Sequence, residues 1–194
     1  MCPWHLKDWN DGTNSRVLRV PLFTQPDTEP ECMVFSLKMC IEYMKNAYPD
    51  ERIRRLTRSL NRDEILRYIH VDEVGWKKDQ PQLDDLSKAT GTLKFKLKSN
   101  GTIGDVAKEL SNTKPVVLIY DVYNLINHNG SGGVHAGVAI GLDDSKIILH
   151  NPWRGAYLRE DLHKFKVAWE EADYDMIVME IKTTLMETVL PLEE

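Results

Sequence analysis

Residues 134–152 read VHAGVAIGLDDSKIILHNP, two β-rich runs separated by Asp143, Asp144 and Ser145, and this stretch predicts an antiparallel hairpin. Both runs, VHAGVAIGL and KIILH, are apolar almost without alternation, as expected of strands covered on both faces. Side chains across a hairpin share a face only when their offset from a directly paired partner is even. That parity decides whether His135, at the head of the first strand, meets Asn151, at the end of the second. A two-residue loop (Asp144, Ser145) pairs position 143 with 146, sets Asn151 opposite Val138 and sends the two side chains to opposite faces. A three-residue loop pairs Leu142 with Lys146 and sets Asn151 opposite Gly137, on the face of His135. A meeting of the two therefore requires the longer loop or a bulge. Asn151 precedes Pro152, which biases it toward extended backbone, although an Asn-Pro pair is also a plain turn signal.

Around this hairpin the chain divides by character. Apolar residues from Cys32 to about Ala47 recur at helical spacing until Pro49. A second helical pattern covers residues 50–70, broken near Asn61, and a third covers 80–90 with Gly91 as its stop. The second half is β-rich: TLKFKLK at 92–98 alternates with period two, and PVVLIYD (115–121) and YDMIVMEI (174–181) read as further strands. Thr102 and Asp105 form a capping-box start for a short helix between them. RVLRVPLF at 16–23 reads as a short strand that Pro21 confines to an edge. Helices first and a mostly antiparallel sheet second make an α+β fold. The expected organisation is an irregular arm over 1–15, one domain over 16–184 and a tail over 185–194.

With 194 residues, of which 42% are apolar, the chain is long enough for one buried core. A net charge of -5 argues against a nucleic-acid footprint, which needs clustered Lys and Arg on one face. The arginines at 52, 54, 55, 58, 62 and 67 are interspersed with acids and read as a solvated helix face. No apolar stretch approaches the roughly 20 residues of a membrane helix, and the N-terminus lacks the apolar segment of a secretory signal. The expected location is cytoplasmic, with no membrane insertion. Three widely spaced cysteines make neither a disulfide framework nor a CxxC metal site. His128, His135, His150 and His163 show no metal-ligand spacing. No metal and no cofactor is expected.

Each cysteine then needs its own account. Cys32 opens a helix, where unpaired N–H groups and the helix dipole favour a thiolate. Cys40 lies inside the same helix among apolar residues and reads as core, and Cys2 sits in the arm. A nucleophilic cysteine needs a base, and the base an orienting partner. His135 emerges from the glycine-rich loop NHNGSGG with space around its ring, and Asn151 is its candidate partner. Gln25, in the loop before Cys32, offers a side-chain amide that can join the Cys32 N–H in stabilising an oxyanion. Trp153 is placed either to shield the histidine–asparagine bond or to pack at the rim. Residues 124–133 read as a mobile flap.

Gln25, Cys32, His135 and Asn151, in that order, resemble the double-glycine leader peptidases and their stand-alone relatives, family thirty-nine of the papain-like cysteine peptidases. The matching stretches are VPLFTQPDTEPECMVFSLKMCIEYM, KPVVLIYD and HAGVAIGLDDSKIILHNPWRGAYLREDLHKFKVAW. The resemblance implies a papain-like cysteine proteinase fold and a Cys-His-Asn triad that hydrolyses a peptide or amide bond through a thioester, with Gln25 assisting. It further implies a peptide substrate, small before the cut and bound extended. Two alternatives share the fold: an acyltransferase that uses the same triad, and a silent peptide-binding module. Three features depart from the family pattern: Met33 replaces the usual glycine after the nucleophile, Gln25 lies one residue further out, and Asn151 stands where Asp is more frequent.

Overall fold

The computed structural model describes residues 7–8, 16–27, 29–127 and 133–182. Its elements run β1 (Lys7–Asp8), β2 (Arg16–Val17), α1 (Cys32–Asn46), α2 (Glu51–Leu56), α3 (Arg62–Leu66), β3 (Val71–Asp72), β4 (Gly75–Trp76), α4 (Gln80–Thr90) and β5 (Leu93–Lys98). They continue with α5 (Ile103–Ser111), β6 (Val116–Asp121), α6 (Val122–Asn127), β7 (Val134–Leu142), β8 (Lys146–Asn151), β9 (Gly155–Asp161), α7 (Leu162–Glu170) and β10 (Met176–Ile181). The larger sheet runs β5-β10-β6-β7-β2-β1, with β8 and then β9 added beside β7, and every pairing in it is antiparallel. This is the α+β architecture expected from the segregation of helical and β-rich patterns.

The sheet is covered on both faces, and the parity of its residues assigns them. Val117, Ile119, Ala136, Val138, Ile140 and Ile148 pack with α1 and the early helices. Val116, Leu118, Tyr120, Ala139, Ile147 and Leu149 pack with Phe165, Ala168 and Trp169 of α7. Neighbours along β6 and β8 thus go to opposite sides, as the period of two requires, which explains why these strands read as unbroken apolar runs. The α1 side is the larger core and holds Cys40 fully buried, as its apolar neighbours predicted.

Most predicted elements recur within a residue or two. Thr102 and Asp105 form the reciprocal capping box of α5, and the 50–70 pattern breaks into α2 and α3, with Asn61 capping the latter. The strand expected over 16–23 shrinks to Arg16–Val17, because the chain makes only a brief pairing with β7 before Pro21 and turns into the loop toward α1. The hairpin β3–β4, the strand β9 and the helices α6 and α7 were not expected, although Phe165, Ala168 and Trp169 of α7 recur at helical spacing behind the capping Asp161. The proposed flap is partly helical, since 122–127 form α6; residues 128–132, most of the N-terminal arm and 183–194 lie outside the described residues.

Candidate active site

Cys32 is the first residue of α1, and the path into it is held by charge. Arg62 of α3 donates to both carboxylate oxygens of Glu31, at 2.7 and 2.5 Å, and to Glu29 at 2.5 Å. Glu31, the residue before the cysteine, is only 5% exposed, so the guanidinium neutralises a carboxylate that would otherwise be buried unpaired. The helix itself is fastened to the sheet by Ser36, whose hydroxyl donates to the Ala136 carbonyl at 3.2 Å. No side chain caps the first turn of α1. Burial pushes the Cys32 thiol up, while backbone amides of Ala136, Met33 and Cys32 itself pull it down.

The hairpin answers the question of parity with a bulge. Asp143 N–H donates to the Lys146 carbonyl at 2.9 Å, so the tip is the short loop of Asp144 and Ser145. Leu142 pairs with Ile147 and Gly141 with Ile148, but the register slips at Ile140, and beyond it Ala139 pairs with Leu149 and Val138 with His150. Continued one step, the shifted register sets Asn151 opposite Gly137. His135 Nε2 lies 2.9 Å from Asn151 Oδ1. A side chain at 137 would obstruct this arrangement, for a Cβ there would fall 2.9 Å from the Tyr120 hydroxyl and 3.2 Å from the His150 carbonyl.

The asparagine fixes the tautomer of the histidine. Asn151 is fully buried, and its Oδ1 also accepts the backbone N–H groups of Trp153 (2.8 Å) and Arg154 (2.9 Å), which identifies that atom as the oxygen. Its Nδ2 donates to the Tyr120 hydroxyl at 3.0 Å. Facing an oxygen that can only accept, His135 Nε2 must carry the proton, and Nδ1 keeps the lone pair. Burial pulls His135 down to about 4, against the opposing effect of its bond to Asn151, with Arg154 adding a small repulsion. Trp153 is 44% exposed, with its ring centroid 6.3 Å from that of His135. It flanks the imidazole and its backbone secures the asparagine.

Cys32, His135, Gln25 and Trp153 line one cleft of about 230 Å³, together with Val74 and Gly75 of the β3–β4 hairpin and with Val122, Tyr123 and Val134. Asn151 stands behind it. Gln25 reaches the cleft, but one Nε2 hydrogen goes to the Glu29 carbonyl at 3.0 Å and its Oε1 is buried without a partner among the described residues. Its backbone N–H donates to the Pro152 carbonyl at 3.0 Å, joining the loop before Cys32 to the turn after Asn151. A larger depression of about 620 Å³ between the hairpin tip and α7 shares none of these residues. Sequence reasoning did not single out Tyr120, or Glu31 and Arg62 as a pair. The only available signal for Tyr120 was a polar atom inside the apolar run PVVLIYD, and Arg62 was grouped with a solvated face.

The Peptidase_C39 like family matches the chain over residues 17–177. No curated protein matches it in sequence. Among solved structures, a protein from Bacillus anthracis described as C39-like peptidase superimposes with a TM-score of 0.63 at 17% identity, covering 86% of this chain and 98% of its own. A double glycine motif protease from an AMS/PCAT transporter, solved with its leader peptide, gives 0.51 at 15% identity over 86% of this chain and 94% of its own. The cysteine protease CMS1MS2 of Carica candamarcensis, solved with E-64, gives 0.56 at 14% identity over 84% and 96%. These likenesses show the papain-like cysteine proteinase fold.

Proposed function

The chain belongs to the Peptidase_C39 like family, and from that premise we propose that it is a cysteine-dependent hydrolase of peptide or amide bonds, with Cys32 as nucleophile, His135 as general base and Asn151 as the orienting group. The observation that carries this reading is the pinned Asn151 oxygen, which holds the proton on His135 Nε2 and leaves Nδ1 basic in a cleft shared with Cys32. Burial favours a resting pair of neutral thiol and neutral imidazole, so the thiolate forms as the substrate arrives. The thiol proton passes to Nδ1 while sulfur bonds to the carbonyl carbon. Collapse of the tetrahedral intermediate breaks the C–N bond, and the imidazolium returns the proton to the leaving amine, leaving a thioester. Water, deprotonated by the same nitrogen, then attacks the thioester and releases the acid and the thiol.

The developing oxyanion is assigned to the first-turn N–H of Cys32 and to the second Nε2 hydrogen of Gln25, which remains after the first is given to Glu29. Peptides ending in small residues before the cut, and peptide amides, are the substrates to screen, with Cys32→Ala and His135→Ala as controls. Loss of the general base is expected to cost on the order of 10²–10⁴ in kcat/KM. Hydrolysis that survives Cys32→Ala would overturn the assignment. Alkylation by iodoacetamide provides a substrate-free check: near about pH 6.5, Cys32 should react faster than Cys40 and slow in His135→Ala. Product analysis with an added amine separates hydrolysis from transfer to a second acceptor.

A further inference from the structure

We infer that Tyr120 is a positioning residue for this site, holding Asn151 and through it the tautomer of His135, and that Gly137 is glycine in order to leave room for its hydroxyl. The inference rests on the reading of Cys32, His135 and Asn151 as the reacting set, but its geometry stands independently. Tyr120 is directly opposite His135 in the β6–β7 pairing, so the two rings project from the same face, with centroids 5.9 Å apart in an edge arrangement. The tyrosine is fully buried and its ring is backed by Phe165 of α7 at 5.3 Å, which leaves the hydroxyl little freedom. That hydroxyl oxygen accepts a hydrogen bond from Asn151 Nδ2–H at 3.0 Å.

Three donors converge on Asn151 Oδ1, and among the described residues the Tyr120 oxygen is the acceptor that Nδ2 meets. Without the Tyr120 oxygen, Nδ2 would be a buried donor with no acceptor, a condition costly enough to turn the amide away from its place. Turning it withdraws Oδ1 from His135 Nε2, the atom that fixes the proton there. A hydroxyl is suited to this task because it can accept from an amide or donate to a carboxylate by rotating its hydrogen. The space it needs is supplied at one position, since a Cβ on residue 137 would come within 2.9 Å of it.

The test compares wild type, Tyr120→Phe and Gly137→Ala, the last keeping the hydroxyl but displacing it. The first readout is the imidazole nitrogen spectrum of His135 in ¹⁵N-labelled protein, which needs no substrate. Wild type should show one tautomer, protonated at Nε2, and both variants a mixture. The second readout is Cys32 alkylation against pH: in Tyr120→Phe the rate near about pH 6.5 should drop about tenfold, with the high-pH limit unchanged because a free thiolate needs no base. With a substrate in hand, kcat should fall and KM hold. A His135 spectrum in Tyr120→Phe that superimposes on wild type would overturn the inference. Should that variant not fold, slow hydrogen exchange at the Asn151 amide of wild type supports the inference and rapid exchange overturns it. A wild-type Cys32 that titrates as an ordinary thiol beside a single-tautomer His135 would sink the hydrolase reading and leave the role of Tyr120 standing.

Discussion

At the scale of single residues, the site is built to keep an imidazole neutral. Burial holds His135 down to about 4, so its neutral form is expected above that pH and is lost as the pH falls through it. The acid limb of kcat/KM should accordingly lie near 4 and not near the ordinary histidine value, as a pH–rate profile would reveal. Asn151→Asp tests the same physics with the sign reversed. A carboxylate can accept all the donors that Asn151 Oδ1 accepts, and Tyr120 can turn its hydroxyl to donate. The negative charge stabilises the imidazolium, so the limb should move to higher pH; an unmoved limb would mean that His135 does not govern it. That the fold would bring His135 to Asn151 and into one cleft with Cys32 was legible, because chemistry restricts the residue types of such a set and the hairpin restricts their spacing. The pairing of Arg62 with Glu29 and Glu31 was not, because residues 29, 31 and 62 are joined only by the folded path of α3 over the loop before α1.

At the scale of elements, β5 is a sheet edge that α4 closes with side chains. Gln80 accepts from Leu97 N–H at 2.7 Å and donates to the Phe95 carbonyl at 3.0 Å, while Ser87 Oγ accepts from Phe95 N–H at 2.8 Å. Two residues of a helix thus substitute for a neighbouring strand, which hides an edge otherwise open to pairing with another chain. Ser87→Ala would leave a buried N–H unpaired and should lower the unfolding free energy by about 1–3 kcal/mol, read from the urea midpoint; an unchanged midpoint would show that water replaces the hydroxyl. The period-two pattern of 92–98 announced the strand, and nothing in it announced the helix-borne cap. The bulge at Ile140 was equally hidden, since the local sequence fits either register, and only the demand that His135 and Asn151 share a face distinguished them.

Across the whole molecule, burial of imidazole links stability to acidity. His150 is 1% exposed, accepts the Tyr157 N–H at Nδ1 (3.2 Å) and so donates from Nε2 to the Val20 carbonyl (3.0 Å), which ties the segment before α1 to β8 and β9. Burial lowers it to about 4. The unfolded chain therefore takes up a proton near the ordinary value of about 6.5 while the folded chain resists until about 4. The stability it confers is complete above the first pH, shrinks between the two, and is gone below the second. The loss is on the order of 3 kcal/mol, and His135 adds to it. Thermal melts between about pH 7 and pH 4 should fall steeply, and a His150→Gln variant, less stable at neutral pH, should fall less; parallel curves would exclude this origin.

The fastening of α1 to the sheet also has a temporal meaning. The Ser36–Ala136 bond spans a separation of 100 residues, and His135 and Asn151 lie at and beyond its far end. During synthesis, Cys32 emerges long before the hairpin that carries His135 and Asn151. Until β7 closes against α1, Cys32 has neither His135 nor the sheet beside it, and pairings of such large sequence separation form slowly as a rule. If Cys32 is the nucleophile we propose, the chain stays latent during synthesis and is armed only by completion of its fold.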